Sequence, residues 1–349
     1  MDFKNKLTYW YSINKRELPW RKTKNPYYIW LSEIILQQTQ VKQGLPYYEA
    51  FVERYPTVFD LANASEQDIL KLWQGLGYYS RARNLHTTAK HIAFELDGEF
   101  PDNYKDLLKL KGVGDYTASA IASIAFNEVT AVVDGNVYRV LSRFYGIDTP
   151  INSTVGIKAF KALATSSIDK KDPATFNQAI MEFGAKQCKP RSPDCSVCPL
   201  KDSCVALQKN LVNVLPVKLK KTKVTTKYFN FLVCIDQNKN TLLEKRIGKG
   251  IWQNLYQFPL IESEKSLSAD EFQLLDLKST ALSNLKFEYS LYNEMDKVHK
   301  LSHQHLYTKF WIIEVDKLPK QRISVESLVA YPTPVLISDF IKQFNFNSI

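Results

Sequence analysis

Residues 110–118 read LKGVGDYTA, in which two glycines flank one apolar residue between segments of helical spacing. Such a turn exposes backbone N–H groups at the start of the following helix, where they can hold a phosphate. Further along, the apolar run AIASIAFNEVTAVV ends at Asp134, which opens DGNVYRVLSR. An acid just before a helix is more often an N-cap than a catalyst, and backbone N–H groups would keep it ionised. The stretch predicts an amide-lined turn followed by a carboxylate at a helix start.

A second candidate acid, Glu33, lies inside IWLSEIILQQTQV (29–41). Its neighbours at helical spacing include Ile29, Trp30 and Leu36, so the acid shares a largely apolar face. Burial there would raise the pKa of the carboxyl group and make it a proton donor near neutral pH. The alternative is an acid at a helix edge that reaches solvent.

Residues 1–206 are predicted to form an all-α domain of about ten short helices. Apolar residues recur at helical spacing in segments that Asn, Ser, Asp, Pro and Gly separate. The clearest segments are Ile29–Val41, Ile69–Trp73, Ala118–Phe126, Val137–Tyr145 and Phe176–Phe183.

Residues 207–226 have no helical period and contain five lysines and no acid, which predicts an extended basic linker. Two interpretations of Lys218, Lys220, Lys221 and Lys223 are equally open. The lysines could bind along a DNA backbone as a basic strap, or they could simply be solvated. Residues 227–349 are predicted to form an α+β domain. In it YFNFLVCID (228–236) and TLLEKR (241–246) form a hairpin around QNKN, HLYTKFWIIEV is a strand and PVLISDFIKQF is a helix.

Composition narrows the class of protein further. The 349 residues are 45% hydrophobic and 23% charged, which excludes disordered and fibrous classes. The sequence contains no run of 18 apolar residues, so it predicts no membrane span. The first residues do not resemble a secretory signal, so we expect the protein to stay in a reducing cytoplasm. The net charge of +10 favours an anionic partner, with nucleic acid first.

Four of the five cysteines cluster near the end of the first domain. Cys188, Cys195, Cys198 and Cys204 follow the spacing C-x6-C-x2-C-x5-C, with prolines in the intervening loops. Four thiolates so close along the chain can surround one metal centre, and such a set holds either zinc or an iron–sulfur cluster. The spacing alone leaves both open.

Taken together, these motifs resemble the helix-hairpin-helix DNA glycosylase superfamily. The resemblance rests on LKGVGDYTA followed by VDGNV, and on the four-cysteine spacing. With LPWR (18–21), IWLSEIILQQTQV and GLGYYSRARNL (75–85), the chain resembles adenine DNA glycosylases of the MutY type across residues 10–206. The resemblance implies removal of adenine mispaired with 8-oxoguanine or guanine in double-stranded DNA, and a 4Fe-4S cluster on the four cysteines.

The resemblance also implies roles for individual residues. Glu33 would protonate adenine N7, and Asp134 would stabilise the cationic sugar or bond to it transiently. Tyr116 and Asn136 would orient these groups. The implied contacts to DNA or to the lesion come from Arg21, Gln38, Thr39, Tyr78, Gly112 and Gly114.

One position separates this interpretation from a related enzyme class. Glycosylases of the endonuclease III type, which also cut the strand, have a lysine two residues after the second glycine of the hairpin. Here that residue is Tyr116, and a phenol cannot form the imine that strand cleavage needs. We therefore expect base removal without efficient strand cleavage. The alternatives are a bifunctional glycosylase and lyase, and a scaffold that binds mismatches without catalysis.

The second domain, residues 227–349, resembles the Nudix-like C-terminal domain of the same family. It lacks the REx2EE cluster of working Nudix hydrolases, so we expect no pyrophosphatase activity. LSHQHL (301–306) aligns with the loop that reads the lesion, which usually has Phe-Ser-His. Ser302 and His303 match, while Leu301 could wedge between bases but could not stack as a ring does. We expect a monomer associated with the nucleoid of a bacterial cytoplasm.

Overall fold

A computed structural model describes residues 2–219, 224–275, 282–283, 285–319 and 321–348. The chain divides by its contacts into two compact units, one of residues 1–64 with 83–220 and one of residues 65–82 with 221–349. Sequence patterning places residues 65–82 within the 1–206 domain, whereas by their contacts they cluster with the second unit. Within the described ranges, no helix has the length and apolar character that crossing a membrane requires.

The helices, in chain order, are α1 (Phe3–Asn14), α2 (Pro26–Leu36), α3 (Val41–Arg54), α4 (Val58–Asn63), α5 (Glu66–Leu72), α6 (Ser80–Glu95), α7 (Tyr104–Leu107), α8 (Asp115–Phe126), α9 (Gly135–Tyr145), α10 (Thr154–Ser167), α11 (Pro173–Lys186), α12 (Val205–Gln208), α13 (Ala269–Gln273) and α14 (Val335–Gln343). The boundary between the two units falls within α6.

The first unit is helical throughout its described residues, as the sequence predicts. One predicted helix is shorter than expected, because Ile29–Val41 does not form a single element. The helix α2 ends at Leu36, and Gln38 adopts a φ of +56°, which no right-handed helix accommodates. The chain turns there, and α3 begins at Val41. This break leaves Gln38 exposed beyond the end of α2.

Helix α11 is central to the first unit and packs against α1, α8 and α9. Its residues Phe176 and Phe183 are fully buried, and Trp10 of α1 meets the ring of Phe183 edge-on. Gly184 permits the closest approach to α9, since an added Cβ would lie 2.6 Å from the Cβ of Asn136. The helix that follows Asp134 is thus held directly against α11.

Part of the predicted basic linker packs on the first unit. Val217 O accepts a hydrogen bond from Ile151 N–H at 3.0 Å, and Asn152 Oδ1 accepts one from Leu219 N–H at 2.8 Å. Leu215 is buried. Of the lysines assigned to a DNA strap, Lys220, Lys221 and Lys223 lie outside the described residues.

The strands of the second unit are β1 (Thr225–Asp236), β2 (Asn240–Thr241), β3 (Glu244–Lys245), β4 (Tyr256–Gln257), β5 (Leu260–Ser263), β6 (Phe287–Leu291), β7 (Lys297–Lys300), β8 (Gln304–Val315) and β9 (Ile323–Ser324). The main sheet has the order β6-β8-β1-β2-β9, with β5 paired to β1 and β7 paired to β8. The long strands β1 and β8 run parallel, with Phe231 opposite Phe310. The pair β3–β4 is separate.

The predicted strand at 305–315 and the predicted terminal helix are confirmed as β8 and α14. The predicted hairpin forms only where Thr241 pairs with Ile235, because Glu244–Lys245 pair with β4 instead of β1. One face of the sheet buries Cys234 and stacks Trp311 on Phe272, with ring centroids 3.9 Å apart. The other face stacks Phe310 on Phe340 of α14 at 4.2 Å. The sheet is therefore covered on both faces, which explains the nearly continuous burial of β1 and β8.

Candidate active site

Glu33 lies in the middle of α2, on a helix that is buried from Ile29 to Ile35. The helix begins at Pro26 after the N-cap Asn25, whose side chain accepts a hydrogen bond from Tyr27 N–H. Only 8% of Glu33 is exposed. Burial raises the pKa of its carboxyl group to about 7, so a large fraction is protonated at neutral pH. The acid thus has the environment of a proton donor.

Three other groups act on the Glu33 carboxyl. A hydrogen bond from the Tyr116 hydroxyl lowers the pKa of Glu33. The negative charge of Asp134 raises this pKa, and the positive charge of Arg21 lowers it by a smaller amount. The Tyr116 hydroxyl also lies 3.2 Å from Met181 Sδ. A carboxylate is a stronger acceptor than a thioether, so the Glu33 bond prevails when Glu33 is ionised. The first unit therefore brings Glu33, Tyr116, Asp134 and Arg21 into one electrostatic neighbourhood.

Asp134 caps α9, as the sequence predicts. Its Oδ1 accepts hydrogen bonds from the backbone N–H groups of Asn136 at 2.9 Å and Val137 at 2.8 Å. Its Oδ2 accepts one from Asn136 Nδ2 at 2.7 Å. Burial raises the pKa of Asp134, while the capping bonds act in the opposite direction. Desolvation therefore sets the direction of the pKa shift, while the capping hydrogen bonds favour the ionised carboxylate, in the sense that the sequence predicts.

The turn before α8 has the geometry that two glycines allow. Gly112 has a φ of +81°, in the left-handed region that favours glycine, and an added Cβ would lie 2.8 Å from Asn84 Cβ. Gly114 is the N-cap of α8, with no side-chain cap and open space around its Cα. Another backbone can therefore approach this helix start closely, as a phosphate contact requires.

A buried ion-pair cluster that sequence reasoning missed holds Arg21. Glu182 of α11 is 1% exposed, and its carboxylate accepts from Arg16 Nη2 at 2.6 Å and from Arg21 Nη2 at 2.8 Å. Arg21 Nη1 also donates to Arg16 O. The signal was an acid within the apolar helix pattern around Phe176–Phe183, the same signal that singled out Glu33. Its effect is to fix the guanidinium that influences Glu33.

Two arginines on α9 join the capped aspartate to the cysteine loop. Arg139 donates to Asn136 Oδ1 at 2.9 Å and, through Nε, to Cys188 O at 2.7 Å. Arg143, one turn further along, donates to Lys189 O at 2.7 Å and lies 3.4 Å from Cys188 Sγ. The helix that positions Asp134 and the loop that begins at Cys188 are therefore one hydrogen-bonded body.

The four cysteines fit a bound cluster. Cys188, Cys195, Cys198 and Cys204 all line one cavity, whose other walls are largely apolar, and none of them forms a disulfide. The described residues contain no group of three or more His, Cys, Asp or Glu placed to hold a single metal ion. Four cysteine thiols around one cavity are nevertheless the donor set of an iron–sulfur cluster, and zinc takes the same set. When bound, such a cluster cross-links its thiolates and is capable of one-electron transfer.

The second unit carries Tyr78 and the predicted lesion-reading residues Leu301, Ser302 and His303. Tyr78 is 52% exposed on the turn between α5 and α6, with a φ of +48°. Ser302 and His303 are exposed at the tip of the hairpin that β7 and β8 form, and Leu301 beside them is partly buried. Thr225 N–H donates to His303 O at 3.1 Å, which fixes the end of this tip. Thr39, in the first unit, is partly buried after α2.

The helical first unit, with its glycine turn and cysteine loop, and the mixed second unit each match known protein families. Residues 31–161 match the model of the HhH-GPD superfamily base excision DNA repair proteins. Residues 188–204 match the iron-sulfur binding domain of endonuclease III, and residues 230–343 match a NUDIX domain. The cluster bound by the four cysteines is therefore 4Fe-4S rather than zinc.

The chain belongs to the adenine DNA glycosylase family. It is 35% identical to the adenine DNA glycosylase of Buchnera aphidicola subsp. Baizongia pistaciae, over 97% of this chain and 96% of that protein. It is 44% identical to the human adenine DNA glycosylase over 216 residues, which are 59% of this chain and 40% of that protein. The expectation of an adenine DNA glycosylase of base excision repair is thus confirmed.

Solved structures agree on the helical fold. A thermostable thymine-DNA glycosylase is 31% identical and superposes with a TM-score of 0.55, over 59% of this chain and 95% of that one. A trapped endonuclease III–DNA covalent intermediate, 23% identical with a TM-score of 0.52, shows the same fold over 60% of this chain and 95% of that one.

Proposed function

We propose that this enzyme excises adenine opposite 8-oxoguanine, or opposite guanine, by acid-assisted hydrolysis and without cutting the strand. It would act as a monomer on double-stranded DNA in the bacterial nucleoid. The observation that carries the proposal is the buried Glu33, whose pKa burial raises to about 7 beside Asp134. Cleavage of a glycosyl bond uses two acids with opposite protonation states, one that donates a proton and one that stabilises the cationic sugar.

The proposed chemistry begins with protonation of the base. Adenine is a poor anionic leaving group, so the protonated Glu33 donates its proton to N7 as the bond from N9 to C1′ breaks. The bonding electron pair goes to the base, which leaves neutral. The sugar becomes a cation of oxocarbenium type, and the ionised Asp134 stabilises it. Water then bonds to C1′ and releases its proton to a carboxylate.

Neighbouring side chains support the two acids. The Tyr116 hydroxyl interacts with the Glu33 carboxyl, and Asn136 Nδ2 donates to Asp134 Oδ2, so each acid has a polar partner that restrains it. The adenine must leave the base stack to reach them, because both acids have to flank one glycosyl bond at the same time, and enzymes that act on a base extrude its nucleotide for this purpose. Arg21, Gln38, Thr39 and Tyr78 are proposed to contact the DNA around the vacated position, and the turn at Gly112 and Gly114 to hold a phosphate.

The exposed tip at Leu301–His303 is proposed to read the opposite base. In 8-oxoguanine N7 carries a hydrogen and is a donor, whereas in guanine it is an acceptor. The Ser302 hydroxyl can accept from that N7–H, and the Ser302 oxygen already lies 3.3 Å from His303 Nδ1. Leu301 would act as an apolar wedge.

The test is single-turnover adenine release from duplexes that differ only in the base opposite adenine. We expect the fastest release opposite 8-oxoguanine, slower release opposite guanine, and the slowest opposite thymine. Equal rates for all three would contradict the proposed specificity. Borohydride added during turnover tests the monofunctional mechanism, because efficient covalent capture of the DNA would require an amine nucleophile and favour a lyase.

A further inference from the structure

The turn that presents Tyr78 holds an unfavourable backbone conformation. Gly77 and Tyr78 have φ angles of +76° and +48°. The left-handed region is accessible to glycine but costs free energy for tyrosine, so other contacts must maintain it. The Tyr78 side chain nevertheless remains half-exposed. An exposed ring on a maintained, unfavourable turn indicates that its position matters.

Contacts within the turn account for part of its rigidity. Trp73 Nε1 donates to Gly77 O at 3.0 Å, and Arg81 Nη2 donates to the same oxygen at 3.2 Å. The Arg81 guanidinium lies 5.6 Å from the centre of the Tyr78 ring and 5.1 Å from that of Trp73. The ring of Tyr78 thus rests on a cation that is itself buried.

The rest of the support comes from the chain near α14. Gln74 Nε2 donates to Ser338 Oγ at 2.9 Å, and Gln74 Oε1 accepts from Thr333 N–H at 3.3 Å. The Tyr79 hydroxyl donates to Thr333 O and accepts from Gly75 N–H, both at 3.4 Å. Gln74 and Tyr79 bracket the turn, and Thr333 and Ser338 are buried. The turn is therefore fastened at both ends to the segment before and within α14.

The same part of the molecule supports the tip at Leu301–His303. Helix α14 packs on the sheet through Phe340, which stacks on Phe310 with an angle of 10° between the rings. Phe310 belongs to β8, and β8 starts at Gln304, directly after His303. From the tip, packed or bonded groups therefore continue through β8 and α14 to Gln74.

We propose that Gln74 is a specificity-determining positioning residue, which makes the Tyr78 turn and the Leu301–His303 tip parts of one rigid support. When the Leu301–His303 tip binds the base opposite adenine, it then determines the position at which the Tyr78 ring enters the DNA. This inference rests on the proposed reading of the opposite base. It gives Gln74 and Tyr79 a role that is separate from the chemistry at Glu33.

The test combines Gln74→Ala with Tyr78→Ala in the full-length enzyme. Gln74→Ala should slow adenine release opposite 8-oxoguanine about tenfold, from the loss of its hydrogen bonds to Thr333 and Ser338. Release opposite guanine should slow about twofold or less. In the Tyr78→Ala background, Gln74→Ala should cause no further loss, because its effect passes through that ring. Equal losses on both duplexes, or the same additional loss without Tyr78, would overturn the proposal.

A second variant distinguishes a loss of positioning from a loss of folding. Tyr79→Phe keeps the buried ring and removes only the hydroxyl that joins Gly75 to Thr333, and it should shift the preference in the same direction. The matched control is Gln67→Ala, which removes a contact from α5 to the Tyr256 hydroxyl away from the turn, and it should leave the preference unchanged. If the wild-type enzyme does not prefer 8-oxoguanine, the proposed specificity fails. The double-variant comparison on the guanine duplex still decides whether Gln74 acts through Tyr78.

Discussion

The carboxyl groups of Glu33 and Asp134 lie on different elements about a hundred positions apart in sequence, yet they interact in the folded first unit. Burial makes the largest contribution to the raised pKa of Glu33, and the charge of Asp134 raises it further. Asp134, for its part, keeps three hydrogen bonds at the start of α9. This asymmetry favours a proton on Glu33 and a negative charge on Asp134.

The rate of adenine release should depend on pH in a bell shape. Glu33 acts in its protonated form, so the rate should fall as pH rises above about 7, where the proton is lost. Asp134 acts in its ionised form, so the rate should fall again in acid, starting at a higher pH than an ordinary aspartate would give. Single-turnover rates between pH 4 and 9 measure both limbs, and a rate that rises steadily through pH 8 would contradict the assignment.

Glu33 should destabilise the folded protein at alkaline pH. Its folded pKa of about 7 exceeds the ordinary value of 4.5, so the free energy of unfolding falls as pH rises between these values. Glu33→Gln removes this loss and should stabilise the protein by about 3 kcal/mol at pH 8 and by little at pH 4. Urea unfolding measures the difference, with the exposed Glu49→Gln as control. A pH-independent difference would argue against a buried ionisation.

Glu182→Gln should weaken both folding and catalysis. Burial acts to raise the pKa of Glu182, but hydrogen bonds from Arg16 and Arg21 outweigh it and lower the pKa to about 2. Removing the charge leaves two arginines without their partner, which should cost about 3–5 kcal/mol at pH 7. The cost should shrink as pH falls from 4.5 towards 2, where the wild-type carboxylate also becomes protonated. Chemical denaturation beside the exposed Glu17→Gln checks this, and equal stability of the two variants would refute it.

Arg143→Ala should loosen the cysteine loop. Arg143 is 3% exposed and donates to the carbonyls of Leu215, Lys189 and Pro190. Its loss leaves the buried Leu215 carbonyl and two partly buried carbonyls unpaired, which should lower the unfolding free energy by about 3 kcal/mol and reduce the iron bound per chain. The control is Arg191→Ala, an exposed arginine in the same loop. Iron content and stability equal to the control would show that the loop does not depend on Arg143.

Sequence patterning predicted the elements that carry Glu33 and Asp134 because both acids interrupt long apolar runs. The break after Leu36 was not predictable from apolar spacing, since the spacing continues through Gln38 while the backbone changes sign of φ. The cysteine spacing located the cluster but not its metal. That distinction came from the match to an iron-sulfur domain.

The partners of the acids were beyond sequence reasoning. Arg21 meets Glu182 across about 160 positions, and nothing in either local pattern specifies that pairing. The assignment of residues 65–82 to the second unit has the same origin, because Gln74 finds Ser338 and Thr333 only through tertiary packing. Side-chain polarity predicted that these groups need partners, but only the folded chain identifies which ones.

The most direct measurement is single-turnover adenine release by Glu33→Gln on a duplex with adenine opposite 8-oxoguanine, beside a binding titration with the same duplex. A glutamine keeps the size of the side chain, but its amide N–H is too weakly acidic to protonate N7. We expect a rate at least about a hundredfold below wild type, with duplex affinity unchanged. Release at the wild-type rate would contradict the role of Glu33 as the acid and, with it, the proposed mechanism.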